Sequence, residues 1–161
     1  MALAACRLAV AQQSADPIPD LVGEINAWRM IPGVLLERCA SRALQTADAR
    51  RKVYDAWRQA NKPLIERVDR IVESSVPIFA SEMTVDNDEA RRRVARFTTM
   101  LIDENYFGKE RGVTPGHVCA SYGNIVAPLS SAGTTAKIRG LTDSLEQMIA
   151  DRPKAAKGAA D

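Results

Sequence analysis

The chain has 161 residues, 46% apolar and 26% charged, with a formal net charge of +2. That length suits one domain with a single core. The apolar share excludes an intrinsically disordered chain, and the near-neutral balance excludes a general drive toward nucleic acid or an anionic membrane.

The start, MALAACRLAVA, is Ala-rich and apolar apart from Arg7. Ala9-Val10-Ala11 fits the small-x-small pattern of a signal peptidase site, with Gln12 as the new first residue. Leu3-Ala4-Ala5-Cys6 also reads as a lipobox, in which Cys6 would carry a lipid anchor. An Ala-rich disordered start with no targeting role is the plain alternative. We take residues 1–15 as a signal remnant or disordered N-terminus, 16–152 as a helical domain and 153–161 as a disordered tail. Export predicts a periplasmic or secreted protein; the cytoplasm is the alternative. In an oxidising compartment Cys39 and Cys119 are free to pair, whereas in the cytoplasm they would be buried small hydrophobes.

Apolar positions recur at helical spacing almost throughout, with no internal repeat and no useful strand-like alternation. A first helix is expected after Asp16-Pro17, with Leu21, Ile25 and Trp28 on one face and Pro32-Gly33 as its end or a sharp bend. A short second helix follows, with Val34, Leu35, Leu36 and Cys39 inward. The third is the longest: Thr46 caps it, and Val53, Trp57, Leu64, Val68, Ile71, Val72 and Phe79 form its stripe. Pro63 inside that stripe should kink the helix or split it near Asn61–Lys62, and Pro77 marks a further bend. Asn61, one turn after Trp57, is placed to satisfy backbone groups that the proline frees.

The fourth helix opens at Asp86-Asn87-Asp88-Glu89, a capping-box spacing, with Ala90, Val94, Phe97 and Leu101 expected inward. The fifth starts with Thr114 as cap and Pro115 in the first position and runs to about Leu129, with Val118, Cys119, Tyr122, Ile125, Val126 and Leu129 inward. The last starts near Thr134-Thr135, faces the core with Ile138, Leu141, Leu145, Met148 and Ile149, and stops at Pro153. The expectation is therefore an all-α, single-domain bundle of five or six helices with a long, proline-kinked third helix, pinned by Cys39–Cys119.

No constellation stands out as catalytic. His117, the chain's only histidine, lies two residues from Cys119, about 200° around a helix, so the two cannot form a nucleophile–base pair. Cys39, Cys119 and His117 lack the spacing of a zinc site. There is no CxxCH for haem, no GxSxG turn, no phosphate loop and no ExxH pair for a di-iron centre. No cofactor or metal is expected.

Basic clusters do stand out. Nine bases stand against five acids between Glu37 and Arg70. Arg50, Arg51 and Arg58, together with Arg91, Arg92 and Arg96, form a candidate interaction surface for a protein partner, since arginine is favoured at interfaces. A plain solvated helix face is the alternative. Aromatic interleaving and a reading helix for nucleic acid are lacking. These features point to a non-enzymatic protein-binding protein of the bacterial envelope, of the inhibitor or immunity kind. A small-ligand or lipid-binding module opened by the kinks at Pro63 and Pro77, and an enzyme with an unrecognised carboxylate site, are the alternatives.

Overall fold

The computed structural model describes residues 16–42, 46–108 and 114–152. The expected export signal, Cys6 and the tail at 153–161 lie outside these residues. Among them every regular element is helical: α1 (Ile18–Arg38), α2 (Ala47–Ala60), α3 (Lys62–Met83), α4 (Asn87–Phe107), α5 (Pro115–Ala120), α6 (Tyr122–Val126), a 3₁₀ turn (Ala127–Ser130) and α7 (Ala132–Ala150).

The centre of the bundle is α1. Its buried residues, Ile18, Val22, Ile25, Trp28, Val34 and Leu35 among them, are spread around the helix. A helix apolar on several sides has to be enclosed. It packs on α3, α4 and α7, and against α2 and α6 near one end. The α1–α3 pair forms the spine, with α4 covering one side and α7 the other.

The helix does not end at Pro32-Gly33: α1 runs through both residues as one element. Proline removes a backbone donor there, but tertiary contacts outweigh that loss. Pro32 is fully buried, and its carbonyl accepts a 2.8 Å hydrogen bond from the Tyr122 hydroxyl. Burial pushes the Tyr122 phenol well above its ordinary pKa, so it remains a donor. The expected first and second helices are therefore one element.

The expected long, kinked third helix is two helices, divided near Asn61–Lys62, where a split was the other outcome expected of Pro63. α2 and α3 meet at Asn61, whose backbone leaves the helical region (φ −106°, ψ 8°). Pro63 then falls in the first turn of α3, where a missing N–H costs little. Asn61 closes the junction: its Nδ2 donates to Trp57 O at 2.9 Å and to Ser130 Oγ at 2.8 Å.

At the other end of α3, Thr84 takes a left-handed conformation (φ 53°), and Val85 N–H returns to Ala80 O at 3.0 Å, a Schellman-type close. α4 starts as expected, with Asp86 accepting from Glu89 N at 2.7 Å. It ends at Gly108, where a Cβ would sit 2.3 Å from Glu104 O, so only glycine fits.

The expected fifth helix is α5, α6 and the 3₁₀ turn, interrupted at Ser121, which leaves the helical region (φ −92°, ψ 9°). Its Thr114 cap holds His117 N at 3.3 Å. α7 starts two to three residues earlier than expected, at Ala132, because Ser131 caps it by accepting from Thr134 N at 3.2 Å.

Candidate interaction surface and interhelical groove

Cys39 and Cys119 are bonded, with Cα atoms 5.5 Å apart. Cys39 caps the end of α1 and Cys119 lies in α5, and both are buried. Helical spacing turned both inward, and the packing of α5 beside the end of α1 brought them together. The bond therefore starts from the last turn of the single helix α1, not from a separate second helix.

The segment after Cys39 is held by Arg50, which corrects one sequence expectation. Arg50 is only 4% exposed and does not belong to any interaction surface. Its guanidinium donates to Cys39 O at 2.9 Å and Arg42 O at 2.8 Å, and to the Thr46 hydroxyl. An arginine fork suits this task because one planar group reaches several oxygens in fixed directions. Nothing in the charge pattern of Arg50-Arg51-Lys52 marks one of the three as a clamp; only its place on the inner side of α2 does.

The other five arginines are exposed but do not form one patch. Arg51 and Arg58 lie on α2, and Arg91, Arg92 and Arg96 on α4, two helices with no substantial packing between them. Arg91 binds Glu73 of α3 and reaches Asp88 at 2.5 Å. Arg92 and Arg93 share Glu89, at 3.0 and 2.7 Å. These hydrogen bonds hold the Glu73 and Glu89 carboxyls below the ordinary glutamate range. Further ion pairs bridge neighbouring helices: Arg29–Asp69 between α1 and α3, Arg38–Asp103 between α1 and α4, Arg67 with Asp143 and Glu146 between α3 and α7, and Lys137–Glu24 between α7 and α1. Each is solvent-accessible and individually weak; together they disfavour sliding of one helix past another.

The inner face of α4 also differs from expectation. Phe97, expected inward, is 50% exposed, and Met100 is 53% exposed. The buried line is Ala90, Thr98 and Ile102, with Val94 half-buried beside them. Thr98 takes the interior place because a partner waits there: Asn26 of α1, 1% exposed, donates from Nδ2 to Thr98 Oγ1 at 3.0 Å, and the threonine hydroxyl donates to Val94 O at 2.9 Å. Asn26 Oδ1 in turn accepts from Arg29 at 2.7 and 3.2 Å, and Arg29 reaches Asp69 at 2.6 Å. A satisfied polar seam thus crosses the α1–α4 contact. Hydrophobic periodicity alone rotates α4 the wrong way, because it scores Phe97 above Thr98.

Beside this seam lies an open groove of about 420 Å³ between α1, α3 and α4. Val72, Val76, Phe79 and Val94 contribute its apolar surface, and the Arg29–Asp69 and Arg91–Glu73 pairs border it. A smaller one of about 240 Å³ sits at the α2–α3 junction, lined by Asn61, Pro63, Leu64 and Arg67. Pro63 therefore does border a concavity, whereas Pro77 is exposed on α3.

Trp28 and Trp57 are core residues in edge contact, with ring centroids 5.4 Å apart. Trp28 Nε1 donates to Leu129 O at 3.0 Å, while Trp57 Nε1 is buried with no hydrogen-bond partner among the described residues. Among the described residues no group of three or more His, Cys, Asp or Glu side chains is placed to hold a metal ion, and no helix is long and apolar enough to cross a membrane.

The least expected surface is therefore one flank of α4. Arg93, Phe97, Met100 and Glu104 are all exposed and fall within about 60° of the helix circumference at 100° per residue. Arg96 borders them on one side and half-buried Leu101 on the other. Among the described residues Phe97 and Met100 are the large apolar side chains left exposed. No protein-family model, no curated protein and no solved structure matches this chain.

Proposed function

We propose that this chain is a non-enzymatic protein-binding protein of the bacterial envelope, of the inhibitor or immunity kind, and that the Phe97–Met100 flank of α4 is its docking surface. The observation that carries this reading is the exposure of two large apolar side chains, side by side, within a charged border. Such a patch loses water-exposed apolar area when a partner covers it, and arginine at its edge adds directional hydrogen bonding. The envelope assignment is supported by the buried Cys39–Cys119 bond, since structural disulfides persist where thiols are oxidised.

The test is a photo-crosslinking side chain at position 97 in the producing cell. Protein adducts are expected there and at position 100, but not at exposed Arg139 on α7. No adduct at either α4 position refutes the docking surface. Trapping thiols by alkylation in whole cells tests the compartment: Cys39 and Cys119 recovered reduced would refute the envelope assignment.

A second reading, small-ligand binding, is favoured by the α1/α3/α4 groove, whose volume lies within the range of ligand sites. It requires that Val76→Trp, which fills the groove, abolish binding of an apolar fluorescent probe. Unchanged probe binding in that variant rejects the groove as the site.

A further inference from the structure

We propose that the α4 flank is self-complementary and that the partner it fits is a second copy of this chain, joined by antiparallel α4–α4 packing about a two-fold axis. This rests on the reading of that flank as a docking surface and names its occupant.

The pattern along the helix carries the inference. A two-fold axis midway between Phe97 and Met100 sets each Phe97 against Met100 of the other copy. Arg93 and Glu104 then lie at equal distances on opposite sides of the axis, about 8 Å along the helix at 1.5 Å per residue. In the antiparallel arrangement Arg93 of each copy comes level with Glu104 of the other, so the two ends of the patch carry opposite charge and match when one is reversed. Arg96 stands within a turn of the same glutamate.

Among the described residues neither Arg96 nor Glu104 has an ion-pair partner within its own chain, and Arg93 is paired only with the half-buried Glu89 of the same helix, which it shares with Arg92. An isologous contact of this kind uses every patch residue twice. Leu101, half-buried at the edge, widens the apolar centre. A single helix pair covers less than the roughly 1,600 Å² of a standard interface. The expected dimer is therefore reversible, with a Kd on the order of 10–100 µM, and a different protein partner has to compete for the same side chains.

Sedimentation equilibrium of the full chain, with its disulfide intact, tests this. Wild type should dimerise in that range. Phe97→Asp should be monomeric at every concentration while melting within about 3 °C of wild type, since the ring is half-exposed. Arg93→Glu and Glu104→Arg should each weaken the dimer about tenfold, because each creates two like-charge contacts, and the double exchange Arg93→Glu/Glu104→Arg should restore it. Failure of the double exchange to restore association overturns the antiparallel arrangement.

A wild type that stays monomeric at about 1 mM overturns the proposal outright, being well above the predicted Kd. Two results at position 97 then separate the causes. An adduct with another protein leaves the docking surface standing and removes only the second copy. A crosslink that stays within one chain assigns the flank to another segment of the same chain and removes both.

Discussion

Replacing both bonded cysteines, as Cys39→Ala/Cys119→Ala, removes the one covalent tie across the described core. The bond closes a loop with a sequence separation of 80, which contains all of α2, α3 and α4. In the chain-entropy treatment a loop of that length restricts the unfolded chain by about 4.5 kcal/mol at 25 °C. Both cysteines are essentially inaccessible, at 0% and 1% exposure, so losing the two sulfurs also leaves a small void worth about 1 kcal/mol. For a domain of this size each kcal/mol moves the melting temperature by roughly 2–4 °C, so the double variant should melt about 10–20 °C below the oxidised protein. The assay is thermal unfolding followed by helical circular dichroism in non-reducing buffer, with an unreduced intact mass to verify the bond. The loss should appear mainly as a more expanded unfolded state, and therefore as a larger dependence on urea as well as a lower midpoint. A double variant melting within about 3 °C of wild type would refute the argument. It would mean that packing of α5 against the end of α1 already restricts the chain without the bond.

Three further outcomes follow from single features. Thr84→Gly should raise stability by about 1 kcal/mol, because a β-branched residue at φ 53° is strained where glycine is not; a lower urea midpoint in this variant would contradict it. Arg50→Met keeps the stem but removes the donors to Cys39 O, Arg42 O and the Thr46 hydroxyl, and should cost about 2–3 kcal/mol in urea unfolding, with unchanged stability counting against the clamp. Acidification should destabilise the fold: hydrogen bonds from Arg67, Arg91 and Arg93 hold Glu146, Glu73 and Glu89 below the ordinary value of 4.5. Their stabilising contribution is present above that value and lost as pH falls through the lower, folded-state values. Urea midpoints measured from pH 6 to pH 3 should therefore fall, and Arg67→Gln should flatten the decline; a midpoint that rises toward pH 3 would be the wrong sign.

Much of this was readable from one dimension. Helical periodicity, the Asp86 and Thr114 caps, and the inward setting of Cys39 and Cys119 depend on neighbours within a turn or two, and local chemistry is written in local order. What required the folded chain were the places where a distant partner reversed a local preference. Pro32 stays inside a helix in a fully buried setting, where Tyr122, 90 residues away, bonds its carbonyl. Thr98 displaces Phe97 from the core because Asn26, 72 residues away, needs an acceptor. Arg50 leaves the surface because the carbonyls of Cys39 and Arg42 turn toward it. Each hydrogen bond is made only once two helices have packed, so its energy acts on the assembled tertiary structure and leaves no periodic trace in the sequence. The exposed apolar flank of α4, which we propose as a docking surface, goes with that seam: Thr98 rather than Phe97 faces Asn26, which leaves Phe97 and Met100 outside.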